Sequence, residues 1–134
     1  MKPTTFKIPG CPVGKARPRI TKWGAHTPEK TVLYENLVKT CYDGGMYEGA
    51  VAIYVRAYYN IPKSATKKAR AEIENLERFP TKKPDCDNVL KIIADALNGI
   101  AYHDDSQIVR ATVEKYFADE PRVEVELMEV RTPF

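Results

Sequence analysis

The feature that most narrows what this chain can fold into is the stretch from Pro84 to Gln107, where aspartates stand at both ends of one short amphipathic helix. Pro84 has no N–H to donate and pushes Lys83 towards extended backbone, so the chain enters extended. Asp85 or Asp87 can cap the helix that follows, and Val89, Ile92, Ile93, Ala96 and Leu97 recur at helical spacing. Asn98-Gly99 supplies the stop. Asp87, Lys91 and Asp95 fall four residues apart and share one polar face. From cap to stop the helix is roughly 16 Å long. The return from Asn98 to Asp105 can reach roughly 23 Å. Asp105 can therefore come back beside Asp85 and Asp87.

Two carboxylates about 5 Å apart repel by roughly 3 kcal/mol at an effective dielectric of about 20. Such a group takes up protons or holds a cation. All-oxygen ligands without paired His or Cys suit Mg²⁺, with Mn²⁺ as a substitute, rather than zinc. A hard cation held by carboxylates and a substrate phosphate suits phosphodiester hydrolysis, in which the metal activates the attacking water and steadies the leaving oxygen.

The run Asp85-Cys86-Asp87-Asn88-Val89-Leu90-Lys91, then Asp95-Ala96-Leu97, then Asp104-Asp105-Ser106-Gln107 closely resembles the signature of the RusA family of Holliday junction resolvases. The segment from Pro12 to Arg19, followed by Thr27 to Thr31, is similar to the amino-terminal part of Gram-positive and phage members. The resemblance covers most of the chain. It implies a homodimeric endonuclease that nicks opposing strands of four-way DNA junctions with Mg²⁺, in recombination and repair. Carried over by position, Asp85, Asp87 and Asp105 are the metal ligands, Lys91 is the catalytic lysine and Asp104 is an accessory acid. The segment between Leu97 and Asp104 is about a residue shorter than in some relatives, which blurs how the paired aspartates divide their work. Lys91 either offsets charge at the scissile phosphate in the transition state or orders the attacking water. The expected chemistry is in-line hydrolysis leaving a 5′-phosphate and a 3′-hydroxyl.

At 134 residues and 43% hydrophobic, the chain is expected to form one domain over 1–134, with a core of its own. It has no run of eighteen apolar residues, and its first residues lack a signal-peptide apolar region, so a soluble cytoplasmic protein without membrane contact is expected. Cys11, Cys41 and Cys86 are odd in number and lack a C-x-x-C, so reduced thiols are expected, and only His26 and His103 could join them at a zinc.

The net charge of +3 hides an uneven distribution. Residues 1–28 hold Lys2, Lys7, Lys15, Arg17, Arg19 and Lys22 and no acid. Residues 63–83 carry seven basic and three acidic residues, whereas residues 85–105 carry five acids and one lysine. Basic zones that gather phosphates beside an acidic centre suit a nuclease. Lys15, Arg17 and Arg19, with Lys22, are expected to form a phosphate-contacting arm. Lys67, Lys68 and Arg70 form either a second phosphate surface or a solvated, frayed helix, and Lys82 and Lys83 lead into the motif.

The fold expected is α+β, a small mixed or antiparallel sheet with two to three packed helices, as in RusA-like chains. Thr5 to Ile8 alternates as a strand, and Gly10 to His26 reads as a long loop. Trp23 in that loop is either a stacking wedge or a hydrophobic cap over the core. Thr27-Pro28-Glu29 opens a helix with Glu35 and Lys39 as an exposed pair. Ala50 to Ile61 is the clearest strand, and its second face is open to a dimer partner. Ser64 caps a further helix. Ile108 to Phe117 and Val123 to Val130 read as an antiparallel hairpin. Asp95 supports Lys91 or the fold, and His103 is a proton shuttle or a structural residue. Two other classes stay open: a non-catalytic DNA-binding module whose acids are caps, and a metal phosphohydrolase acting on nucleotides. No small-molecule cofactor is expected.

Overall fold

Strand β1 (Thr4–Pro9) buries Phe6 and Ile8 and leaves Thr5 and Lys7 outside, as its alternation requires. The computed structural model describes residues 2–16 and 19–131, of which the side chains of Arg19 and His26 are not described. Arg17 lies outside the described residues.

The segment expected to be an irregular loop contains a ribbon, β2 (Arg19–Thr21) paired antiparallel with β3 (Gly24–His26). Gly24, at φ 112°, makes the reversal that an L side chain resists. The Thr21 hydroxyl staples the turn, accepting from the Trp23 N–H at 3.2 Å and donating to the Gly24 carbonyl at 3.2 Å. The turn rests on these local bonds, which is why no hydrophobic period announces it.

Helix α1 (Glu29–Cys41) follows, with Pro28 rather than Thr27 at its N-cap and without a side-chain cap bond. It turns Thr31, Tyr34 and Val38 inward. Strand β4 (Val51–Asn60) buries Val51, Ile53, Val55, Ala57 and Tyr59 on one face. Helix α2 (Lys67–Glu74) is capped by Thr66 instead of Ser64; the Thr66 hydroxyl accepts from the Ala69 N–H at 3.1 Å. Helix α3 (Cys86–Ala96) buries Val89, Ile92, Ile93 and Ala96, with Leu97 just past its end. A 3-10 turn, Asp105–Gln107, leads into β5 (Ile108–Ala118), and β6 (Arg122–Glu129) completes the sheet.

The sheet order is β1-β6-β4-β5, so β5 and β6 are not the hairpin that their short link suggests. β4 lies between them, parallel to β5 and antiparallel to β6. Its core face is apolar at every position, and the central place gives such a strand a neighbour on each side. The link from Ala118 to Arg122 needs to cross two strand spacings, roughly 10 Å, which four residue steps cover. The parallel partner is reached through α2 and α3, the long crossover that parallel strands demand. Over the described residues the fold is thus α+β, with three helices, a mixed four-stranded sheet and a small ribbon. Helices α1 and α3 close over the buried face, where Phe6, Ile8, Ile53, Val125 and Leu127 meet Val38, Ile92 and Ile93. The opposite face carries Tyr54, Arg56 and Tyr58; Tyr58 stacks on Tyr116 at 5.6 Å and lies under Arg122 at 3.9 Å.

Cys11, Cys41 and Cys86 are free thiols. Among the described residues no helix is long and apolar enough to cross a membrane.

Candidate active site

The motif is held at its entrance by the sheet. The Tyr59 hydroxyl of β4 donates to the Pro84 carbonyl at 2.5 Å, and Lys115 of β5 donates to the Lys82 carbonyl at 2.7 Å. Asp85 then takes the N-cap of α3, where its carbonyl accepts from Val89 at 3.0 Å but its carboxylate makes no capping bond. Asp87 is exposed in the first turn. Both residues stand at the positive end of the helix dipole. Capping therefore does not account for the Asp85 side chain.

The amino-terminal loop docks on the same end of α3. Lys15 N–H donates to the Asn88 carbonyl at 2.9 Å, and Gly14 lies so close that a Cβ there would fall 2.7 Å from Pro84 Cβ. The loop, the start of α1 and the motif enclose an open groove of about 780 Å³, lined by Lys15, Lys30, Lys83, Asp85 and Asn88 among others.

A chain of charges runs along the polar face of α3. Lys15 Nζ sits 3.0 Å from Glu35 and 3.3 Å from Asp95. Burial pulls the Lys15 pKa down, but hydrogen bonds to Glu35 and Asp95 outweigh it and leave the pKa raised. Lys15 thus ties α1 to α3, and Glu35 pairs with it in place of Lys39. Lys91 reaches Asp95 at 3.3 Å. Asp105 lies against Asp95, and its pKa is raised by burial, then by the charges of Asp104 and Asp95, with Lys91 pulling the other way.

Asp105 thus meets the last turns of α3, and Asp95 is about two turns from Asp87. The return segment is folded tightly instead of extended. Gly99, at φ 76°, donates to the Tyr102 carbonyl at 2.8 Å, and the Tyr102 hydroxyl donates to the Ala94 carbonyl at 2.7 Å. Among the described residues no three His, Cys, Asp or Glu side chains converge closely enough to hold a metal ion. The structure brings together Lys91, Asp95, Asp104 and Asp105, and leaves Asp85 and Asp87 at the other end of the helix.

Asp104 has work of its own. It caps the 3-10 turn, accepting from Ser106 N–H at 2.9 Å, and the Ser106 hydroxyl, then this N–H, lower its pKa. Gln107 closes the capping box by accepting from Asp104 N–H at 3.1 Å, and its amide donates to the Tyr47 and Gly49 carbonyls, each at 2.9 Å. Gln107 is what fixes Asp105 in place. Sequence reasoning gives it no role, and its spacing of three from Asp104 is the signal that could have done so. His103 Nε2 lies 2.6 Å from Glu48 and pairs with that carboxylate on the surface.

The remaining basic residues are scattered. Lys22 lies over the Trp23 ring at 5.0 Å, and Trp23 is exposed at the ribbon turn, not a cap on the core. Arg19 belongs to β2 by its backbone. Lys67 and Lys68 are exposed in the first turn of α2, and Arg70 pairs with Asp119 at 3.6 Å. Lys82 and Lys83 are exposed beside Asp85.

The family model described as Endodeoxyribonuclease RusA matches residues 9–128. The chain is also 38% identical, over 135 aligned positions, to a Bacillus subtilis (strain 168) protein named "Uncharacterized protein YqaN", covering 93% of this chain and 95% of that relative. The matched span holds the whole of α3, both acid clusters, strands β4 and β5 and all but the last residue of β6. This chain belongs to the RusA endodeoxyribonuclease family.

Proposed function

We propose that the chain is a Mg²⁺-dependent, structure-selective DNA endonuclease that resolves four-way junctions by symmetric paired nicks, acting as a cytoplasmic homodimer in recombination and repair. The observation that carries this reading is the set of aspartates around α3 in a member of this family. Asp85 makes no cap bond, Asp87 stands in the first turn, and Asp105 is pressed against Asp95 with two lysines in attendance. The donors are all carboxylate oxygens, the kind that a hard divalent cation takes. Asp85, Asp87 and Asp105 do not converge in this structure, so they would hold the ion only with the two ends of α3 drawn together around it; Mn²⁺ would substitute. When bound, Mg²⁺ supplies Lewis acidity at a phosphoryl oxygen and lowers the pKa of the attacking water.

The chain's own groups do the rest. Lys91 offsets the charge that builds on the scissile phosphate, and Asp95 aims it from one helical turn away. Asp104 and Gln107 act through the turn, holding Asp105 in position. Lys67, Lys68, Lys82, Lys83 and Lys22 gather phosphates from exposed positions. Two matched cuts need two sites related by symmetry, which is the argument for a homodimer.

Asp87→Asn and Asp105→Asn test the assignment. Each is expected to lower cleavage of a four-way junction more than about 100-fold while junction binding, measured by gel shift, persists. A variant that folds and still cuts at the wild-type rate removes that residue from the site.

A further inference from the structure

We infer that the β2–β3 ribbon is a wedge for branched DNA, with Trp23 and Ile20 seated against unstacked bases and Lys22 on the adjoining phosphates; this deepens the nuclease reading above and rests on it. Trp23 is the sole tryptophan of the chain, and the fold leaves it in water. Trp23 is 79% exposed and Ile20 88% exposed. Large apolar groups of this kind are normally buried, and a pair of them on one short ribbon calls for something that covers them.

The ribbon's position says what that is. The segment before it, Pro12 to Ala16, and the segment after it, from Pro28 to Thr31, line the same groove as Lys83, Pro84 and Asp85. Both of its stems are therefore fastened at the groove beside the motif, one of them by the Lys15–Asn88 backbone bond and the Lys15–Glu35 ion pair. The ribbon's turn is stapled by Thr21, so the tip is preformed. Charge selects the partner: residues 1–28 contain six basic residues and no acid, and Lys22 stands over the indole at 5.0 Å. An aromatic face with an adjoining cation is what successive bases stack on. Paired bases inside a continuous duplex present no free face, whereas bases at a branch point do. The wedge thus favours branched over linear DNA.

Because the chain has one tryptophan, its tryptophan emission, excited at wavelengths that its eight tyrosines do not absorb, reports on the ribbon tip alone. The experiment titrates the wild-type protein, without divalent metal so that no strand is cut, with a four-way junction and with a linear duplex of the same sequence. Quenching that saturates with the junction and is weak with the duplex is expected. Trp23→Ala is expected to weaken junction binding about ten-fold and duplex binding far less, with Trp23→Phe restoring most of the affinity. Unchanged emission at saturating junction, or equal junction affinity in Trp23→Ala, overturns the wedge. A fluorescence change that follows protein concentration without DNA also overturns it and assigns the ribbon to self-association. The nuclease reading fails separately, through wild-type protein that leaves the junction uncut in Mg²⁺.

Discussion

Tyr59 joins the core to the chemistry. Its ring is buried in the sheet, and its hydroxyl holds the carbonyl of Pro84, the residue before Asp85. Burial, then the charges of Cys86 and Asp85, push its pKa up to about 12. An acid whose pKa is raised on folding stabilises the protein fully below its unfolded value, about 10, and that contribution disappears as pH rises through the folded value. Thermal stability is therefore expected to fall between about pH 10 and 12. Tyr59→Phe should flatten that part of the profile, at a cost of about 1 kcal/mol at neutral pH from the missing hydrogen bond. Lys15 offers a contrast with the exposed lysines. Lys15→Ala leaves Glu35 without its cation and Asp95 with Lys91 alone, and should destabilise the fold by about 1–3 kcal/mol in denaturant titrations. It should leave the salt slope of DNA binding unchanged. Replacing Lys67 and Lys68 together by Ala should do the reverse, lowering that slope by about 0.9 for each phosphate no longer neutralised while the fold keeps its stability.

Helix α3 and the loop docked on it form the working element. Gly14→Ala would put a methyl group 2.7 Å from Pro84 Cβ and 3.1 Å from Asn88 Cβ. The expected cost is about 1–3 kcal/mol by thermal denaturation, together with slower cleavage as the groove wall shifts. Ile93→Ala, at a fully buried position of the same helix, should cost about 2–5 kcal/mol and disturb the site only through stability. Much of this element was legible in the sequence. The apolar spacing of Val89, Ile92, Ile93, Ala96 and Leu97 names the buried face, and the alternation from Val51 to Ala57 names the central strand. The ribbon was not legible, because three-residue strands held by one threonine leave no period to read. Nor was the separation of β5 from β6, since a short link reads as a hairpin until β4 competes for the place between them. The site was legible in its residue types and not in its geometry. Reach alone allows Asp105 to approach either end of α3, and the Tyr102 bond to Ala94 is what settles it at the far end.

At the scale of the molecule, the sheet sets a rigid floor from which Tyr59 and Lys115 grip the motif, while the charges are sorted around it. The acids lie along α3, exposed cations stand next to them in the chain at residues 82–83, and others stand on the ribbon turn and the first turn of α2. On the proposed reading that sorting draws a polyanion towards the carboxylates, through a field that falls off within about 10 Å at 0.1 M salt. Branch selectivity, on the same proposed reading, belongs to a homodimer in which a second site and a second ribbon would meet the same junction. The measurement that tests this account most directly compares cleavage of a four-way junction with that of a linear duplex of identical sequence, with Mg²⁺ and with chelator. Paired symmetric nicks in the junction, dependent on Mg²⁺ and lacking in the duplex, are the result the account predicts. A junction that stays intact in both Mg²⁺ and Mn²⁺, or a duplex cut as readily as the junction, would contradict it.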